Sequence, residues 1–149
     1  MDKFDKSLLN MLQDSLPVCS RPYAVVAERL GVSETQVLNR IRALKEEGYI
    51  RRIGTFFDSE HLGYAGTLIA LSVAEGQMEK VALFVNKYAG VTHNYERDGE
   101  FNLWFTLLTQ NKTEERQILA EIRALPGVQK MMNLPSSQKY KINVTFRLT

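Results

Sequence analysis

Apolar residues in the first third of the chain recur every three or four positions, which is the spacing of amphipathic helices. A first helix is predicted up to a break at Pro17, and its apolar stripe consists of Leu8, Leu9 and Leu12. Two further helices are predicted over residues 22–30 and 34–47, with Ser33 as the N-cap of the last one. The turn Gly31-Val32-Ser33 between them is typical of a helix-turn-helix motif.

Apolar and polar residues alternate after Gly48, and this period of two is that of a strand. The segment Tyr49–Ile53 is therefore predicted to be the first strand of a winged-helix β-ribbon. We assign residues 1–57 to a winged helix-turn-helix domain and residues 58–66 to a connection.

Residues 67–149 show strand and helix patterns in the order βαββαβ. Strands are predicted at 67–74, 90–97, 100–108 and within 128–148, and helices at 78–88 and 112–125. This is the order of a ferredoxin-like sandwich, in which two helices cover one face of an antiparallel sheet. The predicted fold class is α+β, with a winged helix-turn-helix domain followed by a ferredoxin-like domain.

The charge is nearly balanced, since 19 Lys and Arg residues face 17 Asp and Glu residues in a chain of 149. We therefore expect little or no specific DNA binding, because proteins that bind DNA through its phosphates usually carry a clear basic excess. The lone Cys19 fits a reducing cytoplasm, and no apolar run of about 18 residues predicts a membrane span. P-loop, Gly-rich dinucleotide and zinc-spaced Cys/His motifs are missing, which argues against the usual nucleotide and zinc enzymes.

The segment 90–106 carries the most informative chemistry. Asp98-Gly99 predicts a two-residue type I′ turn, which places Tyr95 opposite Asn102 and His93 opposite Trp104. Because side chains alternate across a sheet, one face of this hairpin points to the helices and consists of Phe101, Leu103, Phe105 and Leu107. The opposite face then collects His93, Tyr95, Arg97, Asn102 and Trp104.

These five side chains suit a large, flat, anionic ligand. Trp104 offers a stacking surface, Arg97 can pair with carboxylates, and His93 can donate a proton near neutral pH. The alternative is that the same residues pack a dimer interface. Taken as a group in register, they favour the ligand.

A helix-turn-helix followed by a ferredoxin-like domain resembles the Lrp/AsnC family, and the resemblance covers essentially the whole chain. Thr92–Arg97 (Thr-His-Asn-Tyr-Glu-Arg) and Phe101–Thr106 (Phe-Asn-Leu-Trp-Phe-Thr) resemble the hallmark of the siroheme (also spelt sirohaem) decarboxylases. Tyr49–Gly54 (Tyr-Ile-Arg-Arg-Ile-Gly) is also similar to that family's pattern. These are Lrp/AsnC-like proteins of the alternative heme and heme d1 biosynthesis pathways.

The resemblance implies an enzyme that converts siroheme to didecarboxysiroheme by turning two acetate side chains into methyl groups. Siroheme is then the substrate, and no separate cofactor or metal is expected. The resemblance also implies a cytoplasmic heterodimer with a paralogous subunit, or a homo-oligomer. The same fold leaves a second function open, that of an Lrp/AsnC-type transcriptional regulator, including one that responds to heme.

In the implied reaction we expect His93 to donate the proton, with Tyr95 orienting it or relaying the proton. Ligation of the siroheme iron by His93 is the other role left open, whereas His61 is expected to be a surface residue. The candidate substrate-binding residues are Arg51, Arg52, Arg97, Asn102, Trp104, Lys139 and Lys141. The arginines and lysines among them are chosen because the substrate is a polycarboxylate. The two lysines, two positions apart, would share one face of a final strand.

Overall fold

The computed structural model describes residues 1–14, 16–55, 57–141 and 145–149. The chain divides into two compact units, one formed by the described residues of 1–55 and 141–149, the other by those of 56–140. None of the helices in this described part of the chain has the length and apolarity needed to cross a bilayer.

The first unit contains the predicted helix-turn-helix, with α1 (Lys3–Asp14), α2 (Pro22–Leu30) and α3 (Glu34–Glu46). Gly31 turns the chain after α2 with a φ of 67°, a left-handed conformation that favours glycine. Ser33 then caps α3 in a capping box with Gln36, whose backbone N–H donates to the Ser33 hydroxyl. The apolar stripes of the three helices meet in one core, which includes Leu8, Val26, Val37, Ile41 and Leu44.

The predicted wing strand is wrong. The backbone N–H groups of Tyr49 and Ile50 both donate to the carbonyl of Leu44, so this segment closes the end of α3 instead of pairing with a strand. Ile50 is buried in the helical core, and residues 51–55 are exposed without strand structure. A segment with alternating apolar and polar residues forms a β-strand only when it can pair with a neighbouring strand. No such strand is present among the described residues of this unit.

The chain's end also differs from the prediction, which placed all of residues 67–149 in the second domain. Leu148 packs against the helical core, and its backbone exchanges two hydrogen bonds with the side-chain amide of Asn10 on α1. The backbone of Phe146 does the same with Gln13. These polar contacts join the end of the chain to α1, so the second unit ends at Tyr140.

The second unit is a ferredoxin-like α+β sandwich, as predicted. Its elements are β1 (Ala65–Val73), α4 (Met78–Val85), β2 (Val91–Glu96), β3 (Leu103–Thr109), α5 (Lys112–Arg123) and β4 (Val128–Pro135). The strands form one antiparallel sheet in the order β2-β3-β1-β4. Both helices pack on the same face of the sheet, where the core includes Ile69, Leu71, Val81, Val85, Leu103, Phe105, Leu107 and Ile122. The other face receives no helix of this unit.

Candidate functional site

A cavity of about 510 Å³ lies on the sheet face that the helices leave open. It is bounded by side chains of β1, β2 and β3 and by the residue that follows β2. Its lining consists of Leu68, His93, Tyr95, Arg97, Trp104, Phe105 and Thr106. Four of the predicted site residues, His93, Tyr95, Arg97 and Trp104, are therefore brought together around one space.

The register between β2 and β3 differs from the predicted one by two residues. Tyr95, and not His93, lies opposite Trp104, while His93 lies opposite Thr106. The cause is a longer loop: the backbone N–H of Arg97 donates to the carbonyl of Asn102 at 2.9 Å, so four residues, not two, make the turn. Because this shift is even, His93, Tyr95 and Trp104 stay on their predicted face of the sheet. Beyond the register shift at His93, Val91 pairs with Leu107 and packs against the core.

His93 stands at the edge strand of the cavity, next to two threonine hydroxyls. Its Nδ1 lies 3.1 Å from Thr92 Oγ1 and 3.4 Å from Thr106 Oγ1, and the two hydroxyl oxygens are 2.7 Å apart. The imidazole ring also lies beside the ring of Tyr95, with centroids 6.3 Å apart and planes tilted by 31°. The side chain is exposed, so the cavity reaches the imidazole directly.

Trp104 supplies an apolar wall of the cavity. Its Nε1–H donates to the carbonyl of Phe101 at 2.7 Å, which satisfies the only polar atom of the side chain and fixes the indole ring. Leu68 on β1 is 37% exposed and extends the apolar surface towards the middle of the sheet. Tyr95 on β2 is 50% exposed, which leaves much of its ring free for contact with a ligand.

Arg97 gives the cavity its positive charge. The side chain is exposed, and no ion pair of its guanidinium occurs within the described residues. An arginine in this state retains all its donors for a bidentate contact with an external carboxylate. Together with the imidazole and the two aromatic rings, it makes the cavity suitable for a flat anion.

Asn102 was predicted to face the cavity, but it does not. Its side-chain amide pairs with both backbone groups of Val73, accepting from the N–H at 2.8 Å and donating to the carbonyl at 2.9 Å. The amide therefore extends the β1–β3 pairing beyond the end of the ladder. Phe101 belongs to the loop instead of the buried core face, where its carbonyl is the acceptor for Trp104.

The remaining cationic candidates do not line this cavity. β4 ends at Pro135, so Lys139 and Lys141 do not share a strand face, which corrects the prediction. Lys139 is paired with Glu60 at 2.7 Å, and Lys141 is exposed in the first unit. Arg51 and Arg52 are also exposed residues of the first unit. His61 is exposed, as expected, and lies 3.2 Å from Asp58.

Four residues around the cavity were not predicted to lie there: Leu68, Thr92, Phe105 and Thr106. Thr106 has the same strand parity as Trp104, so the alternation of β3 could have identified it. Thr92 could not be identified in this way, because its position depends on an irregularity in β2 where the register shifts between Val91 and His93.

The two arginines of α3 have side-chain partners within the first unit. Arg40 pairs with the buried Asp5 at 2.5 Å and with Glu47 at 3.2 Å. Arg42 donates to Asn39 at 2.8 Å. The hydrogen bond from Arg40 lowers the pKa of Asp5 to about 2. Because Arg40 is held in an ion pair with the buried Asp5, α3 has less positive charge available for DNA phosphates.

Comparison with known protein families assigns both parts of the chain. Residues 5–51 match the family described as siroheme decarboxylase NirDL-like HTH domain, and residues 61–141 match the AsnC-like ligand binding domain. The second match is consistent with the ferredoxin-like unit and its open sheet face.

Relatives of this chain are similar over its whole length. It is 42% identical to the siroheme decarboxylase alpha subunit of Desulfovibrio desulfuricans, covering 99% of this chain and 85% of that protein. In Pseudomonas aeruginosa, the siroheme decarboxylase NirD subunit is 40% identical, over 99% of this chain and 97% of that protein. The NirG subunit from the same organism is 36% identical, over 99% of this chain and 100% of that protein.

Two solved structures are informative for different reasons. The siroheme decarboxylase NirDL in co-complex with an iron-uroporphyrin III analogue is 35% identical, with a TM-score of 0.68. The match covers 96% of this chain and 48% of NirDL, so this chain spans about half of that one. AsnC of E. coli has a TM-score of 0.84, with 97% of each chain covered, but at 19% identity it supports the fold alone.

Proposed function

The chain belongs to the siroheme decarboxylase family, and on this basis, together with the geometry of the cavity, we propose that it is a siroheme decarboxylase subunit. In the proposed reaction, two acetate side chains of siroheme lose CO2 and become methyl groups, which gives didecarboxysiroheme. The enzyme is then a carboxy-lyase whose iron tetrapyrrole is its substrate, and the proposal includes no further cofactor.

The single observation that carries this proposal is the grouping of His93, Tyr95, Arg97 and Trp104 around one cavity on an open sheet face. The cavity volume, about 510 Å³, lies within the range of about 300–1,000 Å³ that is usual for small-molecule sites. Trp104 and Leu68 can contact the face of a macrocycle, while Arg97 can pair with a peripheral carboxylate. Arg97 has no ion pair within the described residues and lines the same cavity as the exposed imidazole of His93, which favours an anionic ligand.

The chemistry requires one proton for each CO2 lost. The bond between the acetate methylene and its carboxylate carbon breaks, and the macrocycle accepts the electron pair as CO2 leaves. A proton then forms the new C–H bond of the methyl group, so the step is redox-neutral overall. We propose that Nε2 of His93 donates this proton and that water then reprotonates the imidazole. Tyr95, whose ring lies beside the imidazole, would orient the imidazole or relay the proton to it.

Ligation of the siroheme iron is the other role that the position of His93 supports. The imidazole is exposed at the cavity, and a neutral imidazole nitrogen is a common axial ligand of heme iron. Substitution of His93 separates the two roles, because loss of a ligand changes the absorption spectrum of the bound tetrapyrrole, whereas loss of a proton donor does not.

We further assign a second subunit to the active enzyme, either a paralogue or another copy of this chain. The names alpha, NirD and NirG given to the relatives, and the double length of NirDL, support a paired arrangement. The cavity is open on the side away from the helices, so a second subunit can cover the bound macrocycle. Arg51, Arg52, Lys139 and Lys141 do not line the cavity, and their binding of substrate carboxylates stays a proposal. Since the lone Cys19 needs no oxidising compartment, we place the enzyme in the cytoplasm.

A transcriptional regulator is the alternative function for this fold. The ion pairs of Arg40 with Asp5 and Glu47 argue against this function, as does the balanced charge of the chain.

The direct test of the proposal is the mass of the tetrapyrrole after anaerobic incubation of siroheme with the chain and its partner subunit. Loss of two CO2 supports the enzyme, while selection of one tight, salt-resistant DNA consensus from random sequences supports the regulator.

A further inference from the structure

A β-bulge places Thr92 beside the imidazole of His93. The pairing of β2 with β3 shifts between Val91 and His93, so Thr92 is an additional residue on β2. Its hydroxyl thereby lies on the cavity side, within 2.7 Å of the hydroxyl of Thr106 on β3 and 3.1 Å from His93 Nδ1. Bulges next to active sites commonly redirect a side chain in this way.

The three polar atoms form a closed set of hydrogen-bonding partners. Thr106 Oγ1 and His93 Nδ1 are also 3.4 Å apart, so each hydroxyl is within reach of the ring nitrogen. When the imidazole is neutral, one arrangement uses every proton within the set: Thr106 donates to Thr92, and Thr92 donates to Nδ1. In the reverse arrangement, Nδ1–H donates to Thr92 and the proton of Thr106 has no acceptor among the described residues. The first arrangement keeps every proton of the set in a hydrogen bond within it, and we assign it to the neutral ring.

We propose that Thr92 and Thr106 are positioning residues for His93, which hold its Nδ1 and present its Nε2 to the cavity. This inference rests on the proposed function, because it concerns the atom that would deliver the proton. It adds to that function two side chains that touch the imidazole through Nδ1 and are assigned no direct part in the bond changes.

Hydroxyl groups suit this task because they reverse their direction by rotation about a single bond. When the imidazole is protonated, Nδ1–H must donate, and the Thr92 hydroxyl then accepts from Nδ1 and donates to Thr106. The ring keeps the same orientation in both protonation states, and Nε2 faces the cavity in both. A valine has nearly the same shape as a threonine but can neither donate nor accept, so it removes this function with little change in packing.

The test compares Thr92→Val, Thr106→Val and the double valine variant with the matched serine variants, which retain the hydroxyl. The free full-length chain carrying His61→Gln has His93 as its one histidine, so nitrogen NMR of the ring reports this residue alone. At a pH where titration shows the ring to be neutral, we expect the parent chain to hold the proton on Nε2 and to show an acceptor shift at Nδ1. The double valine variant should move both nitrogen shifts towards the averaged values of a free imidazole, and the serine variants should restore them.

Turnover with siroheme and the partner subunit provides the second readout. We expect the double valine variant to lower kcat by about 10- to 100-fold. This is less than the about 10²- to 10⁴-fold that a general acid contributes, because the imidazole itself is retained. The affinity for siroheme should change by less than about twofold, and the serine variants should recover most of kcat. Unchanged nitrogen shifts in the double valine variant overturn the inference, as does unchanged kcat. If the parent chain binds siroheme but never decarboxylates it, the proposed function fails, while the NMR result still decides whether the threonines position the ring.

Discussion

Tyr95 on β2 lies directly opposite Trp104 on β3, on the sheet face that the helices leave open. Across the sheet, Trp104 in turn lies opposite Ala70 on β1. Ala70 is fully buried and does not line the cavity, whereas Tyr95 and Trp104 both line it. The two aromatic side chains therefore form neighbouring apolar parts of the cavity lining.

Trp104 should contribute binding energy through contact with the face of the macrocycle. We expect Trp104→Ala to weaken siroheme binding by about 1–3 kcal/mol, the amount found when aromatic side chains that stack on flat bases are removed. Trp104→Phe keeps a flat ring and should recover most of the affinity. Leu83→Ala removes an exposed apolar side chain from α4 on the helical side and is the matched control. Equal affinities for all three variants in an absorbance titration would refute this role.

Arg97 should bind a carboxylate of the substrate. Arg97→Ala is expected to cost about 1.5–3 kcal/mol for each charge-assisted hydrogen bond lost, and turnover should fall as the substrate loses its position. Arg97→Lys retains the positive charge but cannot make a bidentate contact, so its affinity for siroheme should lie between those of wild type and Arg97→Ala. Arg123→Ala, an exposed arginine on α5, should leave binding unchanged. Wild-type affinity in Arg97→Ala would mean that other cations hold the carboxylates.

His93 should be required for turnover more than for binding. If it donates the proton, His93→Ala binds siroheme normally, with an unaltered absorption spectrum, and loses about 10²- to 10⁴-fold in rate. If it ligates iron, the same variant changes the spectrum of bound siroheme. His61→Ala changes the other histidine of the chain and should behave as wild type. Wild-type turnover in both His93→Ala and Arg97→Ala would show that the open sheet face is only a subunit interface.

The Asp5–Arg40 pair should stabilise the helix-turn-helix unit in a pH-dependent way. Hydrogen bonding to Arg40 lowers the pKa of Asp5 from its ordinary value of 3.8 to about 2, so the folded state holds the carboxylate ionised at pH values where the unfolded chain binds a proton. The stabilisation, on the order of 2 kcal/mol, is complete above about pH 4 and disappears as the pH falls towards 2.

Two variants separate the partners of this pair in urea unfolding. Arg40→Ala leaves the buried Asp5 without its cation and should cost about 3–5 kcal/mol at pH 7. Asp5→Asn leaves an arginine that is 30% exposed and can be hydrated, so its cost should be smaller, about 1–3 kcal/mol. The difference between wild type and Asp5→Asn should narrow between pH 4 and pH 3. A difference that stays constant with pH would mean that the ion pair does not contribute.

The face of the sheet on which the site lies could be predicted from the sequence, whereas its register could not. The alternation of Leu103, Phe105 and Leu107 fixes which residues of β3 are buried, and a shift of two residues leaves that division intact. The loop length depends on Asn102, whose amide pairs with the backbone of Val73 from a distant part of the chain. Such a contact has no local pattern, and the Asp98-Gly99 pair alone suggested a shorter turn.

The end of the chain was unpredictable for the same reason. Asn10 and Gln13 provide the hydrogen bonds that hold Leu148 and Phe146 to α1, and neither residue is unusual in an exposed helical position. The buried partner of Arg40 likewise lies 35 residues earlier in the chain. Local periodicity identified the helices and strands, but it carries no information about which distant polar side chains meet.

The most direct test of the central claim is the mass of the tetrapyrrole after incubation with the enzyme. Siroheme is incubated anaerobically with the full chain and its partner subunit, and the pigment is extracted and measured by mass spectrometry. The partner subunit alone, this chain alone and the pair carrying His93→Ala serve as controls. We predict that the intact pair converts siroheme to a product that lacks two CO2 and that the His93→Ala pair binds siroheme without converting it. A tetrapyrrole of unchanged mass after incubation with both wild-type subunits would contradict the assignment of this chain as a siroheme decarboxylase.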